Sequence, residues 1–141
     1  MSTDIACLSL TVFRWQQQSL ISAAIVTIEA LCQPKIFEKM HRHGDAIREA
    51  IGEAAVEGGH QLVTSGTGTA FTVHFGLDES PRAWTDVMKA DPAAYQRFRG
   101  QMLEHQIQLL PDGRWYVGAT HSDKELEKVI PAIRQSMKGI G

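Results

Sequence analysis

The chain has 141 residues, 43% hydrophobic and 21% charged, the proportions of one ordinary globular domain with a real core. A formal net charge of -2 without any Lys/Arg run excludes a broadly basic nucleic-acid surface. Two cysteines, Cys7 and Cys32, are too few for a disulfide framework, so the expected setting is the reducing cytoplasm.

In chain order, 5-IACLSLTVF-13 has no basic region before it and runs into Arg14, Trp15 and three glutamines. That pattern argues against a secretory signal. The stretch 19-SLISAAIVTIEAL-31 reads as a nearly all-apolar helix that stops before Pro34. It is too short, and too rich in Ala, Ser and Thr, to span a bilayer. A helix apolar on most sides needs burial, deep in the fold or against another chain.

Ile36, Met40, Ile47 and Ile51 then recur at helical spacing, widened by Phe37, Ala54 and Ala55. Lys39, Arg42, Arg48, Glu49 and Glu53 take the other face, and Gly58-Gly59 closes the helix. The period next changes to two. Leu62 and Val63 open a short strand, Gly66-Thr67-Gly68 bends it, and Phe71, Val73 and Phe75 alternate with Thr72 and His74. Gly76 to Pro81 is a loop, followed by a short helix over Ala83–Met88.

Asp91-Pro92 opens a firmer helix, with Asp91 as cap and Pro92 at the first helical position. Its expected buried stripe is Tyr95, Phe98, Met102 and Leu103. Ile107–Leu110 and Arg114–Ala119 read as a strand pair around Pro111-Asp112-Gly113, with Trp115 and Val117 sharing a face. Ser122-Asp-Lys-Glu125 is a capping box for a last helix with the stripe Leu126, Val129, Ile130, Ile133 and Met137. Pro131 inside it predicts a kink. The order α-α-β-β-α-β-β-α predicts an α+β two-layer sandwich, a small antiparallel sheet covered by helices on one face, plus the N-terminal apolar helix.

Few of the candidate residues carry chemistry. Gly66-Thr67-Gly68 precedes a strand, whereas a phosphate loop needs a helix after it, so the turn reading prevails. His41 and His43 stand two apart on a helix and cannot readily share one ion; both are read as solvent-exposed, and no metal site is expected. His74 sits on the Thr72 face of its strand, where it would face a ligand if that surface lined a cleft. His121 precedes Ser122 and suits local hydrogen bonding at a strand-to-helix turn. Arg114 is a lone cation on a strand otherwise made of Trp115, Tyr116 and Val117. Such an arginine faces a carboxylate, either another residue's or a ligand's.

From Ser19 onward the chain resembles the C-terminal small domain of class III, fold-type I, pyridoxal-phosphate-dependent aminotransferases, with the glutamate-1-semialdehyde 2,1-aminomutase branch as the nearest match. The stretches carrying the resemblance are 19-SLISAAIVTIEAL-31, 66-GTGTAFTVHF-75, 86-DVMKADPAAYQRFRGQMLEHQIQLLP-111 and 119-ATHSDKELE-127. It implies a division into residues 1–18, a divergent arm, and residues 19–141, the small domain. In the family, the cofactor lysine, the phosphate loop and the aspartate on the pyridine nitrogen belong to the large domain. None of Lys35, Lys39, Lys89, Lys124, Lys128 and Lys138 matches that lysine, so no cofactor is expected on this chain alone and no catalytic residue is assigned. Arg114 stands eight residues before Ser122, where other class III members place the arginine for the substrate carboxylate, while the aminomutases' "FEA" glutamate is replaced by Gly113 and Arg114.

Three functional readings follow. The first is a truncated small domain, cytoplasmic, self-associating as a homodimer through the Ser19–Leu31 helix and the N-terminal arm. The second is a binding or regulatory module for amino or keto acids that uses Arg114 and His74. The third is one fragment of a split enzyme that works with a separate large domain. No nucleic acid or membrane is among the expected partners.

Overall fold

A computed structural model describes residues 19–140. The arm over residues 1–18, expected to take part in self-association, lies outside the described residues. The chain divides into two compact units, Met1–Phe37 and Glu38–Gly141. The described elements are α1 (Ser19–Leu31), α2 (Pro34–Gly58), β1 (Leu62–Thr67), β2 (Ala70–Phe75), α3 (Trp84–Val87), α4 (Pro92–Glu104), β3 (Arg114–Tyr116) and α5 (Asp123–Lys138).

In the first unit, α1 ends where Cys32 N–H still reaches the Ile28 carbonyl at 2.8 Å. Pro34 then takes the first position of α2, where its missing N–H costs nothing. α2 ends in a Schellman turn: His60 N–H donates to Ala55 O (2.8 Å) and Gly59 N–H to Val56 O (3.2 Å), with Gly59 at φ +69°. Among the described residues no single helix is long and apolar enough to cross a membrane.

In the second unit, β1 and β2 form an antiparallel hairpin that turns through Gly68-Thr69, pairing Thr67 with Ala70. β3 pairs antiparallel with the other edge of β2, setting Phe71 opposite Trp115 and Thr72 opposite Arg114. The sheet order is therefore β1-β2-β3. Period-two alternation sends Phe71, Val73, Phe75 and Trp115 inward. There they meet Ile47 and Ile51 of α2, Phe98 and Met102 of α4, and Ile133 and Met137 of α5 in one core. Phe71 stacks on Trp115 (centroids 5.6 Å apart) and Phe75 tilts against Phe98 (5.8 Å). Each such side chain contributes about 1.5–3 kcal/mol by leaving water. The expected α+β layering, a small antiparallel sheet with helices on one face, is the observed architecture.

Two details differ from expectation. Ile107–Leu110 is not a strand, and the observed order is α-α-β-β-α-α-β-α. The backbone of this segment is engaged by α4 instead: Arg99 Nε donates to Leu109 O (3.0 Å), Tyr95 Oη to Leu110 O (2.9 Å) and Gln96 Nε2 to Pro111 O (2.7 Å). With those acceptors satisfied by side chains, β3 pairs with β2 alone. Leu103 lies outside the core at 57% exposure, and Ala94 takes a place in the buried stripe of α4. Pro131 falls inside α5, as expected, and is exposed.

Candidate functional site

The outer face of the sheet carries the candidate residues. Alternation along β2 places Ala70, Thr72 and His74 there. The register adds Val63 and Ser65 from β1 and Arg114 and Tyr116 from β3. Arg114, opposite Thr72, and His74, two residues along β2, therefore share one face, as their positions in the sequence suggest.

The register that sets Thr72 against Arg114 continues past the strand end, because Val73 N–H donates to Gly113 O at 2.9 Å. Gly113 has φ +85°, and a Cβ there would stand 2.8 Å from Val73 O. Glycine is thus required for the turn to close on β2. The turn delivers Asp112 beside Arg114. Arg114 Nε donates to Asp112 Oδ2 at 2.6 Å, a second guanidinium nitrogen reaches the same oxygen, and Arg114 N–H donates to Asp112 Oδ1 at 3.2 Å. The guanidinium holds the Asp112 carboxyl below its ordinary range, and the carboxylate raises Arg114 in return. Both side chains stay in contact with water, at 56% and 44% exposure. The carboxylate expected to face Arg114 is therefore, in the free chain, Asp112.

His74 is 9% exposed, and its Nε2 shares a 3.1 Å hydrogen bond with Ser65 Oγ. Burial pushes its pKa down, which favours the neutral ring. His74 and Arg114 open into two adjacent hollows rather than one cleft. His74 and Asp112 line a hollow of about 260 Å³ walled by Phe75, Met88, Pro92 and Tyr95. Arg114, Ser65, Thr72 and Tyr116 line a more open one of about 310 Å³. Ser65 links them, lining the second while bonding the histidine of the first.

Sequence reasoning missed Asp112 as the partner of Arg114; the signal was a carboxylate two positions away across a glycine turn. It also misread His43. That side chain is 2% exposed, and Nε2–H donates to Asp123 Oδ1 at 2.7 Å, joining α2 to the first turn of α5. The helical stripe of α2 is wide enough to bury position 43, and an 80-residue separation hides its partner. His121 accepts from Gly118 N–H at 3.1 Å, the local role expected of it. No group of three or more His, Cys, Asp or Glu among the described residues is placed to hold a metal ion. Gly66-Thr67-Gly68 belongs to the hairpin, with a strand after it; its glycines serve backbone approach, a Cβ on Gly68 meeting His41 O at 2.7 Å.

No protein-family profile matches the chain. Curated relatives do. Glutamate-1-semialdehyde 2,1-aminomutase of Methanopyrus kandleri is 25% identical over 118 residues, which is 82% of this chain and 27% of the relative. The enzyme of the same name from Citrifermentans bemidjiense is 28% identical over 122 residues, 85% of this chain and 28% of the relative. A solved transaminase structure with PLP bound shares the fold, at TM-score 0.63 and 20% identity, over 79% of this chain and 25% of that one. The chain matches a small-domain segment of the class III, PLP-dependent aminotransferases. It spans about a quarter of the length of the curated relatives it matches. The outer sheet face with Arg114 and His74 is the side opposite the core cluster.

Proposed function

We propose that this chain acts as the small domain of a PLP-dependent aminotransferase of the glutamate-1-semialdehyde aminomutase kind, with Arg114 receiving a substrate carboxylate. The observation that carries the reading is the exposed Asp112–Arg114 pair on the outer sheet face. A guanidinium already holding one carboxylate on two nitrogens has the geometry to hold another. His74, kept neutral by burial, lies on the same face as a hydrogen-bonding neighbour and not a charge.

Transamination is not expected from this chain by itself. The hollows beside His74 and Arg114 contain no lysine, so neither offers the amine that an aldehyde cofactor needs. The residues present do not fit pyridoxal phosphate. A large domain bringing that amine is the partner this reading requires, in the cytoplasm.

The test is a titration of the chain with 2-oxoglutarate, followed by backbone amide shifts. Shifts centred on Thr72, Arg114 and Tyr116, lost in Arg114→Ala, are expected; unchanged spectra at millimolar ligand would sink the carboxylate role. Reduction with borohydride after adding pyridoxal phosphate should label the six lysines without preference; one stoichiometrically labelled lysine would overturn the second part.

A second reading, a binding module for amino or keto acids, is favoured by the hollow beside His74, whose walls are mostly apolar. Shifts centred on His74 and Asp112 that grow with an apolar ligand side chain would select it over the first.

A further inference from the structure

Ser65 is half-buried on the outer face of β1, and its hydroxyl lies 3.1 Å from His74 Nε2. The register explains the meeting. Ser65 pairs with Thr72 and Val63 with His74, so Ser65 and His74 are diagonal neighbours on one face. Thr72 in turn pairs with Arg114. Ser65, Thr72 and Arg114 therefore form one row across the three strands, with Ser65 and Arg114 roughly 10 Å apart at the backbone, two strand spacings. All three line the open hollow of about 310 Å³, which puts the Ser65 hydroxyl within reach of a molecule bound there. Burial disfavours the imidazolium form of His74. With the ring proton on Nδ1, Nε2 offers its lone pair to the Ser65 O–H, the arrangement in which a hydroxyl is activated by an adjacent base.

We infer that Ser65 is a nucleophile, with His74 as its general base, toward activated acyl esters that carry a free carboxylate. Ser65 Oγ attacks the acyl carbon, and its proton passes to His74 Nε2 as the new O–C bond forms. The bond from that carbon to the leaving oxygen then breaks, and the imidazolium returns the proton to the departing alcohol. The product is an ester of Ser65. A water molecule repeats the two steps, with His74 again as base, and releases the carboxylic acid and the free serine. No oxidant or reductant takes part. Geometry sets the substrate class. Arg114 stands at the other end of the row from Ser65, so a short acyl chain joins a carboxylate held by the guanidinium to a carbonyl at the hydroxyl. The choice of a carboxylate-bearing acyl group rests on the role proposed for Arg114; the nucleophile and its base do not.

The experiment treats the full chain with mono-4-nitrophenyl succinate and, separately, with 4-nitrophenyl acetate. Release of nitrophenolate gives the rates, and peptide mass mapping locates the acyl group. Wild type should carry that group on Ser65 and react with the succinate at least about tenfold faster than with the acetate. Ser65→Ala should remove the label. His74→Gln, which keeps a hydrogen-bonding side chain beside Ser65, should slow labelling about a hundredfold. Arg114→Ala should abolish the preference for the succinate. A wild type without acylated Ser65 after either ester overturns the inference, whatever the variants do. So does an unchanged rate of Ser65 labelling in a His74→Gln protein whose circular dichroism matches wild type. A wild type that labels Ser65 with no preference between the esters overturns the substrate class and the Arg114 reading together, while the nucleophile and its base stand.

Discussion

Gly44 of α2 lies directly on Gly68 of the β1–β2 turn: a Cβ at position 44 would stand 1.3 Å from the Gly68 carbonyl oxygen and 2.3 Å from its carbon. The hairpin can rest on the helix only because both residues lack side chains. Gly44→Ala is therefore expected to destabilise by about 2–4 kcal/mol, despite alanine's better helix propensity. Gly52, one face away on the same helix, meets nothing within 4 Å. Gly52→Ala should stabilise by roughly 0.5–1 kcal/mol. Urea unfolding of the two variants measures the opposition; equal effects would show that the contact does not constrain the fold.

Tyr95 reports on the attachment of the segment before β3. Its hydroxyl donates to Leu110 O, and burial pushes its pKa up to about 12. Unfolded tyrosine titrates near 10, so between about pH 10 and 12 only the unfolded chain loses this proton. The contribution is fully present below pH 10 and falls away as pH rises, by up to roughly 2–3 kcal/mol. Alkaline unfolding of wild type should steepen in that window. Tyr95→Phe should lose about 1 kcal/mol at neutral pH and show no such steepening.

Most of the helices and the central strand were legible because their signals are local: the stripe of α2, the Asp91 cap and the Ser122–Glu125 box. The box is formed as expected, with Glu125 accepting from Ser122 N–H at 2.7 Å. What escaped is decided by partners distant in sequence. Ile107–Leu110 has the composition of a strand, yet Tyr95 and Arg99 occupy its last two carbonyls from another element, and Gln96 the next one at Pro111. Leu103 fits the period of α4 but lies just beyond the arc that the core covers. Arg114 could be singled out as unusual for its strand, whereas the turn geometry bringing Asp112 onto it depends on Gly113 approaching Val73.

His74 gives a pH dependence of the opposite kind from Tyr95. Burial lowers its pKa, so as pH falls below about 6.5 the unfolded chain takes up a proton before the folded one does. Stability should decline from pH 7 toward pH 5, and His74→Gln should flatten that decline while keeping a partner for Ser65. Denaturant midpoints at pH 7, 6 and 5 provide the comparison. Parallel curves for the two proteins would show that the ring protonates without cost.

Asp112 competes with any ligand for Arg114. While the aspartate holds the guanidinium, an incoming carboxylate must displace it before forming its own pair of bonds. Asp112→Asn keeps the shape of the turn, and its side-chain oxygen can still accept from the Arg114 N–H. It removes the charge that attracts the guanidinium. Because the pair is open to water, the gain is small: 2-oxoglutarate should bind at most about fivefold tighter to Asp112→Asn than to wild type. The gain should shrink in high salt, since screened charges lose most of their pull. It should vanish in the double variant with Arg114→Ala, which has no guanidinium left to release. Tighter binding that persists in the double variant would place the ligand elsewhere on the sheet face.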